Sequence, residues 1–401
     1  MFRRSRTALL TACVALTGLL TACGIAGTAI PGELDVRTLE VGPYPVDKYR
    51  YEQSANGKGT LLEGIRMADA VVPVVRIDPT LTAGIHAGVV PDSDQAINGF
   101  LASVSKPILD RHKMVVGYET IGADQPFTTD QGARPGVTVD LQLLMRFPSE
   151  ADATQAAREL ESADFDFAPG QNRRLQLSEY PNALIHWRPG VPNIGTFVAY
   201  REFVVFLFIQ RPSADEQDLL GWVRKTLDNE MPVLEKFRPT PLDKIDTLQL
   251  DPEGLLARVA VRDRTSHSLD PELFSVQPAV ALVHTATNQA AAQRMIDETG
   301  IDTFAVVDNS IVFRVRDGAQ GPNLITQLSA GAGDEFDPID GPKDVPGVQC
   351  QRLNPRGDTE VQYKNRCYVA YHRYVGFVTS DNEADVRQRV AAQYALLANS
   401  L

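Results

Sequence analysis

FVAYREFVVF at residues 197–206 and YVAYHRYVGF at residues 368–377 align without a gap, and Val-Ala-Tyr is identical in both. Each is an aromatic-rich run followed by a polar cap and an acidic-started helical stretch, DEQDLL at 215–220 in the first case and DNEADV at 381–386 in the second. Aromatic strands resemble one another through β-propensity alone. The shared order of strand, cap and helix is what points to duplication of one α+β unit.

Upstream of the first copy, VTVDLQLLMRF (137–147) alternates apolar and polar positions as a strand does. PSEADATQAARELESA (148–163) then opens with a Ser-x-x-Asp cap and continues as an Ala-rich helix. ALIHW (183–187) and TFVAYREFVVFLFIQ (196–210) read as two further strands, and a capped helix is expected from Ser213 to about Lys236. The unit reads β-α-β-β-α. Ahead of it, helical patterns are expected at Leu61 to Val72 and at Asp94 to Arg111.

RPTPLDKIDTLQLDPEG (238–254) carries prolines near both ends and marks a domain boundary. Beyond it QPAVALVHTA (277–286) reads as a strand, TNQAAAQRMIDETG (287–300) as a helix with a glycine stop, TFAVV and SIVFRVR as strands around Asp308-Asn309, and NLITQL (323–328) as a short helix. CYVAYHRYVGFVT and DNEADVRQRVAAQYALLAN complete a second half that reads as longer by a hairpin and a helix. The expected fold class is α+β: two related open-faced sheet-plus-helix sandwiches with antiparallel or mixed sheets. Expected boundaries are 1–22 for an export leader, 23–58 for a tether, 59–238 for an N-terminal domain, 239–254 for a linker and 255–401 for a C-terminal domain.

The leader MFRRSRTALLTACVALTGLLTAC places Arg3, Arg4 and Arg6 before an apolar run from Ala8 to Leu20. That is the layout of an export signal, and the run is shorter than the roughly 20 residues a membrane span needs. Leu20-Thr21-Ala22-Cys23 resembles the bacterial lipobox. The resemblance implies a diacylglyceryl group on the Cys23 thiol, cleavage before it, and attachment to the outer face of the cell membrane. Each buried methylene contributes about 0.8 kcal/mol, so two or three acyl chains hold where one slips off.

Of the four cysteines, Cys13 leaves with the leader and Cys23 is committed to lipid, which leaves Cys350 and Cys367. In an oxidising compartment two remaining thiols are expected to form a disulfide, and Pro355-Arg356-Gly357-Asp358 between them is a turn pattern that lets them face each other across a hairpin. The alternative is a pair of free buried thiols. The formal charge of −12 argues against nucleic acid or anionic headgroups as partners, and 43% hydrophobic residues suffice for more than one core.

The lipobox, GIRMADAVVPVVRIDPTLT (64–82), LLMRFPSEADATQAARELE (143–161), TPLDKIDTLQLDPEGLLARV (240–259) and the terminal segment from Cys367 to Asn399 together resemble an uncharacterised family of actinobacterial, mycobacterial-type lipoproteins with a two-domain architecture. That resemblance implies a location and no activity.

Ser103-Val104-Ser105-Lys106 is an S-x-x-K, with Tyr180-Pro181-Asn182 as a Y-x-N downstream, the elements of penicillin-recognising serine enzymes. The third element, a Lys-Thr-Gly strand, is missing, because Lys225-Thr226-Leu227 lies in a helical pattern. The six histidines form no ligand pair of zinc-site spacing, so neither a metal nor a cofactor is expected. Asp164 with Asp166 reads as solvated charge, and His186 and His284 as structural residues in strands. The aromatic strands at Phe197 to Phe208 and Tyr368 to Phe377 offer a ligand-holding face, although packing under the helices is the simpler expectation. A non-enzymatic envelope module that binds a ligand or a protein is therefore preferred to a serine hydrolase built on Ser103 and Lys106.

Overall fold

The computed structural model describes residues 34–55, 57–128 and 135–401, and the leader with Cys23 lies outside them. Two seven-stranded sheets dominate. The first contains β1 (Ala83–Val90), β2 (Val116–Ala123), β3 (Val139–Arg146), β4 (Arg173–Leu175), β5 (Leu184–Trp187), β6 (Asn193–Tyr200) and β7 (Phe203–Gln210), in the order β1-β2-β3-β7-β6-β5-β4. The second contains β8 (Phe274–Pro278), β9 (Thr303–Val307), β10 (Ser310–Arg314), β11 (Phe336–Ile339), β12 (Gln349–Leu353), β13 (Asn365–Tyr371) and β14 (Tyr374–Ser380), in the order β11-β12-β13-β14-β10-β9-β8. Every pairing is antiparallel. Reading β8 to β14 as copies of β1 to β7 reproduces the order strand for strand, so the two halves are the same size.

Ten helices accompany the described strands: α1 (Gly59–Arg66), α2 (Val74–Ile77), α3 (Ser93–Ala96), α4 (Lys106–Arg111), α5 (Glu150–Asp166), α6 (Glu216–Lys236), α7 (Val280–Thr285), α8 (Gln289–Thr299), α9 (Gln320–Ala330) and α10 (Glu383–Asn399). Side chains alternate across a strand, so adjacent residues report opposite faces. Leu143 joins the cluster of Ala153, Ala157 and Leu160 from α5, whereas Leu144 joins that of Leu219, Val223 and Leu227 from α6. In the second sheet Ala370 faces Gly321 of α9, and its neighbour Tyr371 meets Tyr394 of α10. Each sheet thus carries a helix on both faces. Ser149, Asp215 and Asn382 cap α5, α6 and α10 by accepting from the backbone N–H three residues on.

The 196–210 run is not one strand. It turns at Arg201-Glu202, so Tyr200 pairs with Phe203, and in the second copy Tyr371 pairs with Tyr374 around His372-Arg373. The expected helix at 94–111 is two short helices, because Gly99 with φ 107° breaks the segment and Pro107 restarts it. Of 277–286, only Gln277 and Pro278 are strand, at the end of β8, and Val280–Thr285 coils into α7, which places His284 in a helix. β1 and β2 were not read as strands. β2 is buried along its whole length although it contains Glu119 and Thr120, so its pattern does not alternate.

The described part of the expected tether, from Val36 onward, is packed against the second sheet and its last helix. Tyr44 is buried with Ala260, Ala392 and Leu396, and Tyr51 lies edge-on to Phe274 at 5.3 Å. The expected linker is also ordered: Ile245 is buried and Asp251 accepts from the N–H groups of Leu256 and Ala257. The two sheets share one hydrophobic cluster, and His284 of α7 hydrogen-bonds the Ala68 carbonyl at 3.3 Å.

Candidate ligand-binding cleft

On one face of the first sheet, β5 and β6 pack against α5. His186 of β5 lies opposite Gly195 of β6. A Cβ on Gly195 would stand 3.4 Å from the imidazole, so the glycine leaves open the space above it. Glu161 and Asp164, three residues apart on α5, reach the two ring nitrogens: Asp164 Oδ2 is 3.3 Å from Nε2, and Glu161 Oε1 is 3.5 Å from Nδ1. Arg174 of β4 donates to both oxygens of Glu161 and lies 3.9 Å over the Phe165 ring.

Burial disfavours the charged imidazole, yet hydrogen bonds and charge from Asp164 and Glu161 outweigh it and hold His186 at about 9. Glu161 is also penalised by burial, and His186 and Arg174 together hold it below the usual carboxylate range. A protonated imidazole thus forms one wall of a cleft of about 350 Å3. Phe100, Phe167, Phe206 and Phe208 supply apolar lining, and Ser105 enters from the loop before α4. Ser105 is only 1% exposed, and its hydroxyl has no hydrogen-bond partner among the described residues. An orphaned buried hydroxyl costs free energy unless something else satisfies it. Phe167 stands 67% exposed at the rim, an unusual state for a large aromatic.

The sequence candidates distribute differently. Lys106 donates to Ser93 at 3.0 Å and ion-pairs with Asp94 and Asp110 at 3.1 and 3.4 Å, while Ser103 is exposed in a 3-10 turn. The Ser103–Lys106 pair required for a serine hydrolase is not assembled, because the lysine is engaged by carboxylates. Tyr180 donates to Asp228, and Thr226 of α6 donates to the buried Asp140. Among the described residues no group of three His, Cys, Asp or Glu side chains is placed to hold a metal ion. Cys350 and Cys367 are disulfide-bonded as directly paired residues of β12 and β13, with Cα atoms 4.1 Å apart.

His186 and Asp164 were legible only as ordinary residues, one within a strand and the other in an acidic stretch. The available clue was the i, i+3 spacing of Glu161 and Asp164 beside a strand histidine. Phe197 is fully buried and Phe206 nearly so, as packing under the helices requires, while Phe208 is partly exposed, and Phe206 and Phe208 both line the cleft.

Among the described residues no helix is long and apolar enough to cross a membrane. The search of curated proteins gives no match. Among solved structures, the extracellular domain of PknH from Mycobacterium tuberculosis aligns at 12% identity over 42% of this chain and 96% of that chain, with a TM-score of 0.30. Residues 50–250 match the N-terminal domain of unknown function DUF7373, and residues 255–400 match its C-terminal domain. The chain therefore belongs to the two-domain DUF7373 family.

Proposed function

We propose that this chain is a non-enzymatic binding module of the cell envelope, held on the extracytoplasmic face by acylated Cys23, and that the His186 cleft is its ligand seat. The observation that carries the reading is the orphaned Ser105 hydroxyl in a cleft that also offers a charged imidazole and exposed aromatic surface. A volume of about 350 Å3 lies within the usual size range of ligand sites. The complement is a small amphipathic molecule with a flat apolar body and a hydrogen-bonding group at one end. Its polar group would satisfy Ser105 while its body covers Phe206 and Phe208.

Gly195→Leu tests the assignment, because the new side chain grows from a Cβ in ordinary contact with His186 and fills the cleft. Protein purified from its own envelope and examined by native mass spectrometry should carry a bound small molecule that the variant lacks, with the melting temperature unchanged. Absence of any bound mass from the parent, or its full retention in Gly195→Leu, would sink the proposal.

A further inference from the structure

The duplication gives the second sheet a counterpart of the same cleft with different chemistry. Phe377 pairs with Tyr368 as Phe206 pairs with Phe197, at ring separations of 5.1 and 4.8 Å. Counting back along the strands, the pair His186–Gly195 corresponds to Gln351–Arg366. Where the first sheet has a glycine, the second therefore has an arginine. A cleft of about 250 Å3 opens there, floored by Val306, Ile311, Phe336 and Phe377, with Tyr363 at its side. Tyr363 is 45% exposed and Val361 beside it 77%, so this rim also presents apolar side chains to solvent.

Arg366 lies over the Phe336 ring at 3.3 Å and donates from Nε to Gln351 Oε1 at 3.0 Å. Among the described residues it makes no ion pair. Its Nη2 is buried without a hydrogen-bond acceptor. The carboxylate lining this cleft, Asp308, is held by His267 at 3.1 Å, and Glu335, outside the lining, accepts from Gln362 at 2.7 Å. A half-buried guanidinium without a carboxylate partner among the described residues, set on an apolar floor, has a specific complement: an oxyanion attached to an apolar chain.

We propose that this cleft of the C-terminal domain binds an amphiphile with a single anionic head, a carboxylate or a phosphate monoester, with the head on Arg366 and the chain lying over Phe336 and Phe377 towards Tyr363. The same head-group chemistry occurs on free acyl chains and on membrane lipids. The cleft is concave and only about 250 Å3, which favours a free monomer over a lipid that remains in a bilayer.

The test uses the purified protein and four probes of equal chain length, all below their micelle concentrations: decanoate, decyl phosphate, decanol and decyltrimethylammonium. Calorimetry should show the two anions binding at least 10-fold more tightly than decanol, with the cation weakest. Arg366→Met should remove that preference and leave decanol binding within about 3-fold of the parent. Arg366→Lys, which keeps the charge, should retain most of the preference and so separates charge from folding. Vesicles of anionic phospholipid should retain the parent protein and Arg366→Met equally. Equal binding of decanol and decanoate, an unaltered preference in Arg366→Met, or Arg366-dependent retention on vesicles without monomer binding would each overturn the proposal.

Discussion

Arg201 and His372 occupy the same corner of two copies of one hairpin, with φ of 51° and 49°. An L-residue in this left-handed region costs about 1–2 kcal/mol. Glycine avoids that cost but adds about 0.5–1 kcal/mol of chain entropy to the unfolded state. Arg201→Gly and His372→Gly should therefore each stabilise the protein by about 0.5 kcal/mol in urea titration. A loss instead would mean that the contacts of Arg201 with Tyr200 at 5.0 Å and of His372 with Tyr371 at 4.7 Å outweigh backbone relief.

The His186 imidazole is held at about 9 although burial opposes its charge. Because the folded value lies above the unfolded one near 6.5, its stabilising contribution is complete below about pH 6.5 and disappears as pH rises through about 9. Asp164→Asn removes one of its two carboxylate neighbours and should bring the ring's titration down, as followed by NMR of the imidazole protons. A midpoint unchanged in the variant would remove Asp164 from the account of the cleft.

Glu230 of α6 and Asp140 of β3 add linkage of the same sign from a different cause, the burial of a carboxyl instead of the pairing of an imidazole. Burial raises Glu230 to about 8, despite the Val72 N–H that it accepts, and raises Asp140 to about 7, despite its bond from Thr226. Between pH 5 and 8 the folded chain keeps protons that the unfolded chain has released, so stability falls as pH rises through this window. Glu230→Gln retains an acceptor for Val72 and should flatten the decline, with a gain of about 2–4 kcal/mol at pH 8. A variant as pH-sensitive as its parent would show that other groups control the slope.

Reduction of Cys350–Cys367 frees a loop with a sequence separation of 17. In the entropic model the loss is about 3 kcal/mol. Because both sheets contribute to one hydrophobic cluster, the two halves should soften together. Calorimetry should show a single transition displaced to lower temperature, and two separated transitions would contradict the shared core.

Cys23→Ser should move the protein from the membrane fraction to the medium or leave it as an unprocessed precursor. Mature variant retained at the parent's level would require an attachment other than acylation.

How far the sequence reached depended on whether a segment's partners lay nearby. FVAYREFVVF and its copy exposed the duplication because strand, cap and helix are contiguous. β1 and β2 escaped notice because Glu119 is buried beside His86 and contacts it across the strand pair, so polar residues stand where apolar ones signal a strand. The cleft escaped for a related reason. Ser105, Asp164, His186 and Gly195 come from a loop, a helix and two strands, and only the β5–β6 register joins them. Arg366 gained its meaning only when the two sheets were aligned pair by pair.

Tyr44 donates to Asp385, 341 positions further along the chain, and the Val46 carbonyl accepts from Asn399, 353 positions away. During vectorial synthesis, the segment around Tyr44 emerges among the first and its docking surface on α10 among the last. It must wait, undocked, until nearly the whole polypeptide has been delivered, so the final closure of the fold is post-translational. Contacts of such long range are slow to form and leave apolar surface open to misassociation. A truncation that removes α10 should therefore strand the beginning of the chain as well as its end, and proteases should clear that product faster than the intact protein.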